Sequence, residues 1–169
     1  MKVVEKQRNS RMCFICGLDN EMGLKAQFYS MEDKSTVSLF RFNKYNQSFP
    51  GRVHGGIITA MLDELGFRAL WSYGKEGFGV TMDLKVKYRK PVPYDEDLIA
   101  RGIVTYSNSN FLKADAFIYL LDGTILSQGE MTYRILPLST ISKDASIHTE
   151  MPYLIEDNIK DINLNFLEY

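Results

Sequence analysis

Apolar and polar residues alternate along much of this chain, and one long stretch with helical spacing interrupts the alternation. Leu24-Lys-Ala-Gln-Phe-Tyr alternates weakly and Thr36-Val-Ser-Leu-Phe-Arg-Phe more clearly, with Glu32-Asp33-Lys34 as a polar turn between them. Asn43 to Pro50 reads as a loop. Helical spacing then predicts one helix from about His54 to Tyr73, with Gly74 as its end signal. Four longer strands come after it. Gly79 to Tyr88 alternates cleanly, with Met82, Leu84, Val86 and Tyr88 on one face and Thr81, Asp83, Lys85 and Lys87 on the other. Leu98 to Tyr106 comes next. Phe111 to Leu121 and Thr124 to Leu136 are joined at Asp122-Gly123, a strong hairpin signal. The predicted order is strand, strand, helix, four strands. Residues 1–12 read as loose or as a short helix. In the tail, the spacing of Ile159, Ile162 and Phe166 suggests a short helix docked on the surface.

On a helical wheel Ile57, Ile58, Met61, Leu62, Leu65 and Ala69 cluster on one face, which is the expected core face. Gly56, Thr59, Asp63 and Gly66 lie roughly opposite, where small residues admit a ligand or a second chain. Glu64 and Arg68 are spaced i, i+4 and read as a helix-surface pair. A single long helix must bury its apolar stripe, and an antiparallel sheet wrapped around it does so economically. The fold class is therefore α+β, with the sheet wrapped around one long central helix.

Composition narrows the function. The 169 residues suit one domain, and with 45% hydrophobic and 24% charged residues the chain reads as soluble and globular. A net charge of −1 argues against a general nucleic-acid binder. No signal peptide and no membrane-length apolar run is found, and the cytoplasm is the simplest location. Neither a Gly-x-Ser-x-Gly elbow nor a Gly-x-Gly-x-x-Gly turn is present, so serine-triad hydrolysis and dinucleotide binding are not expected.

The candidate chemistry sits at the helix start. His54-Gly55-Gly56 opens the helix, and two glycines at that place need a reason. Bare backbone N–H groups at a helix N-terminus can hold a developing oxyanion. Asp63, nine residues after His54, can serve as base or nucleophile. At about 1.5 Å per residue, Gly55 and Asp63 lie roughly 12 Å apart along the axis. One helix cannot bring both to one carbonyl carbon, so joint action requires a site shared between two chains.

The run Asn46-Gln-Ser-Phe-Pro-Gly-Arg-Val-His54-Gly55-Gly56-Ile-Ile-Thr-Ala-Met-Leu-Asp63-Glu64 resembles the hotdog-fold thioesterases of the PaaI-like group. Val86-Lys-Tyr-Arg-Lys-Pro91-Val92-Pro93 matches that group's strand ending in Arg-Pro-Val-Pro, and Cys13-Phe-Ile-Cys16-Gly17 followed by Gly23-Leu24 also recurs at the head of many members. The likeness covers about residues 12–137. It implies a hotdog domain over 1–137, with 138–169 as a C-terminal extension that could pack on it. It also implies a homodimer or a dimer of dimers, and an acyl-CoA substrate cleaved by hydrolysis without a cofactor. By the same resemblance the Gly55 N–H polarises the thioester carbonyl and Asp63 of the partner chain is base or nucleophile. His54 shapes the turn and contacts the acyl carbonyl region, Gly56 belongs to the same catalytic set, and Thr81 helps to place the nucleophile or water.

Weaker candidates surround this set. Lys85, Lys87, Arg89 and Lys90 form a basic run; Arg89 and Lys90, with Asn110 and Lys113, are candidate contacts for CoA phosphates. Phe67, Trp71 and Tyr106 are candidate pocket walls. Cys13 and Cys16 lack a second Cys pair or a His pair, so no metal is expected and they read as structural packing. Two other functions stay open: a non-catalytic acyl-CoA-binding protein on the same fold, and an acyl-CoA hydratase. No Asp-x-x-x-x-His segment speaks for the latter.

Overall fold

The computed structural model describes residues 1–144 and 146–167. Its strands are β1 (Val3–Lys6), β2 (Gln27–Met31), β3 (Thr36–Phe40), β4 (Gln47–Phe49), β5 (Arg52–Val53), β6 (Phe78–Tyr88), β7 (Leu98–Ser107), β8 (Phe111–Leu120) and β9 (Ile125–Leu136). The long helix α1 (Gly55–Ser72) precedes β6, and two short helices, α2 (Leu138–Ile141) and α3 (Ile147–Glu150), come after β9. Seven strands form one antiparallel sheet in the order β1-β2-β3-β7-β8-β9-β6; β4 and β5 form a separate ribbon before α1. The sheet curls around α1. This is the hotdog arrangement.

The core arises where the two periodicities meet. Ile58, Met61, Leu62, Leu65 and Leu70 of α1 pack against Phe28, Phe40, Leu98, Ala100, Leu112, Ala114, Ala116, Ile118, Leu126, Met131 and Tyr133. Ile57 stands half-buried at the margin. Alanines in the middle of β8 leave room for the helix to lie close. Gly66 was expected to admit a ligand or a second chain, but it is buried: a Cβ there would run into the Met131 methyl and the Tyr133 hydroxyl of β9. Its smallness serves helix-to-sheet packing within the chain.

Three further expectations need correction. Residues 1–12 are neither loose nor helical, because β1 adds an edge strand to β2. The tail does not form a helix at 159–166. It runs extended beside the N-terminus, with Val3 N–H donating to Lys160 C=O at 2.8 Å and Ile162 N–H to Met1 C=O at 2.9 Å. Ile162 and Leu164, two residues apart, bury themselves with Tyr29, Met31, Val37, Ile99 and Tyr119 on the sheet face away from α1. Period two matched the burial where period 3.6 did not; only a 3₁₀ turn, Asn165–Leu167, closes the tail. Finally, Glu64 and Arg68 are no surface pair. The Arg68 side chain is fully buried, 2.7 Å from Glu64 Oε1, with its guanidinium over the Phe28 ring and donating to Gln7 Oε1 and Arg8 C=O. The cation is tolerated inside because a carboxylate, two acceptors and an aromatic face surround it.

Candidate functional site at the helix start

The ribbon and the first turn of α1 are built by capping. Asn46 C=O accepts the His54 N–H at 2.8 Å and fixes the entry of the chain. His54 is the N-cap, and its Nδ1 accepts the Gly56 N–H at 3.0 Å. His54 therefore shapes the turn through its ring. This use also commits the Gly56 N–H, which the sequence had grouped with the chemistry. The Gly55 N–H has no acceptor among the described residues. It is the open donor at the positive end of α1.

Gly55, Thr59, Asp63 and Phe67 recur every four residues and form one stripe facing β6. Tyr88 Oη donates to Gly55 C=O at 3.0 Å and lies 2.7 Å from Thr59 Oγ1, which also donates to Gly55 C=O at 2.9 Å. Tyr88 and Thr59 went unassigned in the sequence. Both stand in runs whose alternation gave only their face, and neither type advertises contact with a helix-opening carbonyl. Farther along the stripe, Thr81 Oγ1 donates to the Asp63 carboxylate, at 2.9 Å to Oδ1 and 3.1 Å to Oδ2. Tyr133 Oη donates to the Asp63 backbone C=O at 2.7 Å. Asp63 is half-buried, and burial holds its carboxyl above the ordinary aspartate value, against the pull of the Thr81 hydroxyl.

Thr81 reaches Asp63 because β6 does not alternate throughout. The register slips between Thr81, opposite Tyr133, and Asp83, opposite Thr132. Met82 is the extra residue of a bulge. A bulge inverts the facing of the residues on its N-terminal side relative to those on its C-terminal side. Thr81 thus shares the helix side with Leu84 and Tyr88, whereas strict alternation put it on the opposite face.

Arg89 and Lys90 line an open recess of about 400 Å³ together with Gly55, Gly56, Ile58, Tyr88 and Pro91. Asn110 and Lys113 lie at the other end of the sheet: Asn110 C=O accepts from Ile135 N–H, and Lys113 pairs with Thr132 on β9. Within one chain the four candidate CoA contacts do not converge. A larger cavity, about 820 Å³, opens at the far end of α1 between Trp71, Phe78, Ile135, Pro137 and Met151. Of the expected pocket walls, Trp71 lines this cavity, and Phe67 beside it meets Trp71 edge-on and stacks on Phe78; Tyr106 does not line it.

The thiols of Cys13 and Cys16 meet Glu64 of α1. One sulfur from each cysteine and one Glu64 oxygen lie within 4.8 Å of one another. The sequence expectation of two thiols without further ligands left Glu64 out, because it lies far along the chain and read as half of a surface pair.

Residues 50–127 match the family model of the thioesterase superfamily. The acyl-coenzyme A thioesterase THEM4 of Mus musculus is 35% identical over 130 residues, 76% of this chain and 52% of that protein. THEM4 of Rattus norvegicus is 31% identical over 129 residues, with the same shares. The chain spans about half the length of these curated relatives. Among solved structures, a thioesterase superfamily protein superposes with a TM-score of 0.67 at 24% identity, covering 73% of this chain and 63% of that one. A hypothetical thioesterase of Streptococcus pneumoniae, solved with coenzyme A, superposes with a TM-score of 0.60 at 20% identity, covering 66% and 86%. Over residues 50–127 the chain thus matches the thioesterase superfamily, and its helix-in-sheet fold is the hotdog fold of the structures it superposes on.

Proposed function

We propose that this chain hydrolyses acyl-CoA thioesters in a site shared by two copies. The observation that carries the reading is the stripe on α1: an open Gly55 N–H at the helix start, and eight residues on a half-buried carboxylate held by Thr81. The two are about 12 Å apart along the axis, too far for one carbonyl. β6 lies at the edge of the sheet, with Val80, Met82 and Tyr88 exposed. Antiparallel pairing of β6 with a second β6 would continue the sheet and lay the two α1 stripes head to tail. Each Gly55 then faces the partner subunit's Asp63.

In that geometry the thioester oxygen accepts the Gly55 N–H, and the helix dipole favours the charge that develops there. Asp63 takes a proton from water, whose oxygen bonds to the carbonyl carbon. Collapse of the tetrahedral anion breaks the carbon–sulfur bond, and the CoA thiolate leaves with that proton. Direct attack by Asp63 breaks the carbon–sulfur bond, expels the CoA thiolate and leaves an anhydride, which water then opens to return Asp63 and the free acid. Arg89 and Lys90 beside Gly55 suit the phosphates of CoA. The coenzyme A in the pneumococcal neighbour and the names of the curated relatives support this substrate class. Asn110 and Lys113 could serve only from the partner subunit.

The test is release of free thiol from a panel of acyl-CoAs, with Asp63→Asn as the inactive control. Turnover lost in Asp63→Asn with acyl-CoA binding retained supports the reading. Tight acyl-CoA binding without turnover by the wild type would make the chain a binding protein, and full activity in Asp63→Asn would remove Asp63 from the chemistry.

A further inference from the structure

The segment Cys13-Phe14-Ile15-Cys16-Gly17 takes no part in the chemistry proposed above, yet it is tightly built. Gly17 N–H donates to Cys13 C=O at 2.8 Å, and a Cβ at Gly17 would strike that oxygen, so the turn closes only on glycine. Asn9 Nδ2 clamps the turn from behind, donating to Cys16 C=O at 2.7 Å and Ala26 C=O at 2.8 Å. Two backbone N–H groups, of Ile15 at 3.3 Å and Cys16 at 3.4 Å, point at Cys13 Sγ. From α1, Glu64 presents Oε2 3.8 Å from Cys13 Sγ while its Oε1 holds Arg68. Behind it the fully buried Arg68 has an Nη2 with no partner among the described residues.

We propose that Cys13, Cys16 and Glu64 bind one zinc ion that fastens the N-terminal turn to α1. Two thiolates and a carboxylate are zinc ligand types. Tetrahedral Zn–S bonds of about 2.3 Å place two sulfurs about 3.8 Å apart. The three ligand atoms, already within 4.8 Å of one another, need to close by about 1 Å at most. Ser10 Oγ lies 3.3 Å from Cys16 Sγ and accepts the Cys13 N–H at 3.1 Å, so it helps to hold the turn.

Charge makes the site self-consistent. Without metal, two thiols and the Glu64–Arg68 pair sum to zero. With metal, Zn²⁺, two thiolates, Glu64 and Arg68 again sum to zero. The zinc-bound cluster is therefore neutral in its buried place. The unpartnered Nη2 gains an anionic neighbour in the zinc-bound thiolate of Cys16. The carboxylate divides its work, one oxygen on the guanidinium and the other free for the ion. The ion would brace the helix that carries Asp63 rather than meet substrate.

The test uses the full chain, purified reduced, stripped with chelator and titrated with Zn²⁺ or Co²⁺. The expected result is one zinc per chain by elemental analysis. Cobalt should give sulfur-to-metal charge transfer in the near ultraviolet and the visible bands of a tetrahedral site. Cys13→Ser and Cys16→Ser should abolish the cobalt spectrum, and Glu64→Gln should weaken zinc binding by about tenfold or more. Since Cys16 is buried and its variant could misfold, the wild type gives a second reading: zinc should protect both thiols from alkylation, as mass spectrometry reports. A reduced wild type that takes up no zinc overturns the proposal, as does zinc binding that survives in both cysteine variants. Thiols protected only after oxidation, with loss of two hydrogen masses and no metal, would likewise overturn it and make the pair a dithiol switch.

Discussion

Thr81→Val isolates the threonine hydroxyl that donates to the Asp63 carboxylate. Valine keeps the shape of threonine and removes a single O–H. That O–H is shared between Oδ1 and Oδ2 at 2.9 and 3.1 Å. Hydrogen bonds to charged groups contribute about 1.5–3 kcal/mol. Thr81 is exposed and Asp63 half-buried, so the low end, about 1.5 kcal/mol, applies. At about 1.4 kcal/mol per pKa unit, the Asp63 carboxyl rises by about one unit beyond the elevation that burial already gives it. The carboxylate is the active form under either chemical route. The acid limb of kcat/KM for acyl-CoA hydrolysis should therefore lie above the ordinary aspartate value in the wild type. In Thr81→Val it should move about one unit further up, and Thr81→Ser should restore it. The Thr81 hydroxyl favours the charged carboxyl, and this sets the sign of the stability effect. The loss in Thr81→Val is felt where Asp63 is charged, above its folded pKa, and vanishes at lower pH. An acid limb that stays in place in Thr81→Val would show that this hydroxyl does not hold the reacting carboxylate, and would refute the reasoning.

The packing carries three further expected outcomes. Glu64→Gln leaves the buried Arg68 without its counter-charge and should cost about 3 kcal/mol, a fall in Tm of roughly 6–12 °C by calorimetry; folded protein should keep most of its turnover, whereas Asp63→Asn should keep its Tm and lose turnover. A dead Glu64→Gln beside an active Asp63→Asn would transfer the chemistry to Glu64. Ile162→Ala removes a nearly buried side chain from the strap over Tyr29, Val37 and Ile99 and should cost about 2 kcal/mol in urea unfolding; no change would mean the tail does not hold that face in solution.

How far the sequence reached can be judged residue by residue. The helix from His54 to Tyr73 is observed as Gly55–Ser72, because a clean apolar stripe and the end signal at Gly74 agreed. The four long strands were legible for the same reason. Thr81 was placed on the wrong face, since a bulge is fixed by the partner strand and leaves no mark on its own alternation. Arg68 read as surface because i, i+4 spacing to a glutamate looks alike inside and outside; its burial depends on Gln7 and Phe28, far away in the chain. The short edge strand β1 takes its pairing from β2 and the tail, and four residues carry too little pattern to announce it. Glu64 beside Cys13 is a product of topology alone.

The central claim is that Gly55 of one chain works with Asp63 of another, and subunit exchange tests it most directly. Asp63→Asn removes the carboxylate. Gly55→Pro removes the open N–H at a helix position that tolerates proline, and His54, at φ −66° and ψ 133°, already has the backbone that a proline after it requires. A Cβ at Gly55 meets the Tyr88 hydroxyl at 3.3 Å, so the end of a side chain must give slightly, and circular dichroism should first show a folded variant. Each variant alone should be inactive. A mixed dimer holds one intact pair and one doubly broken pair, so exchange should restore up to about half of the activity per dimer. Demonstrated exchange with activity still at the level of the two parents would contradict the shared site.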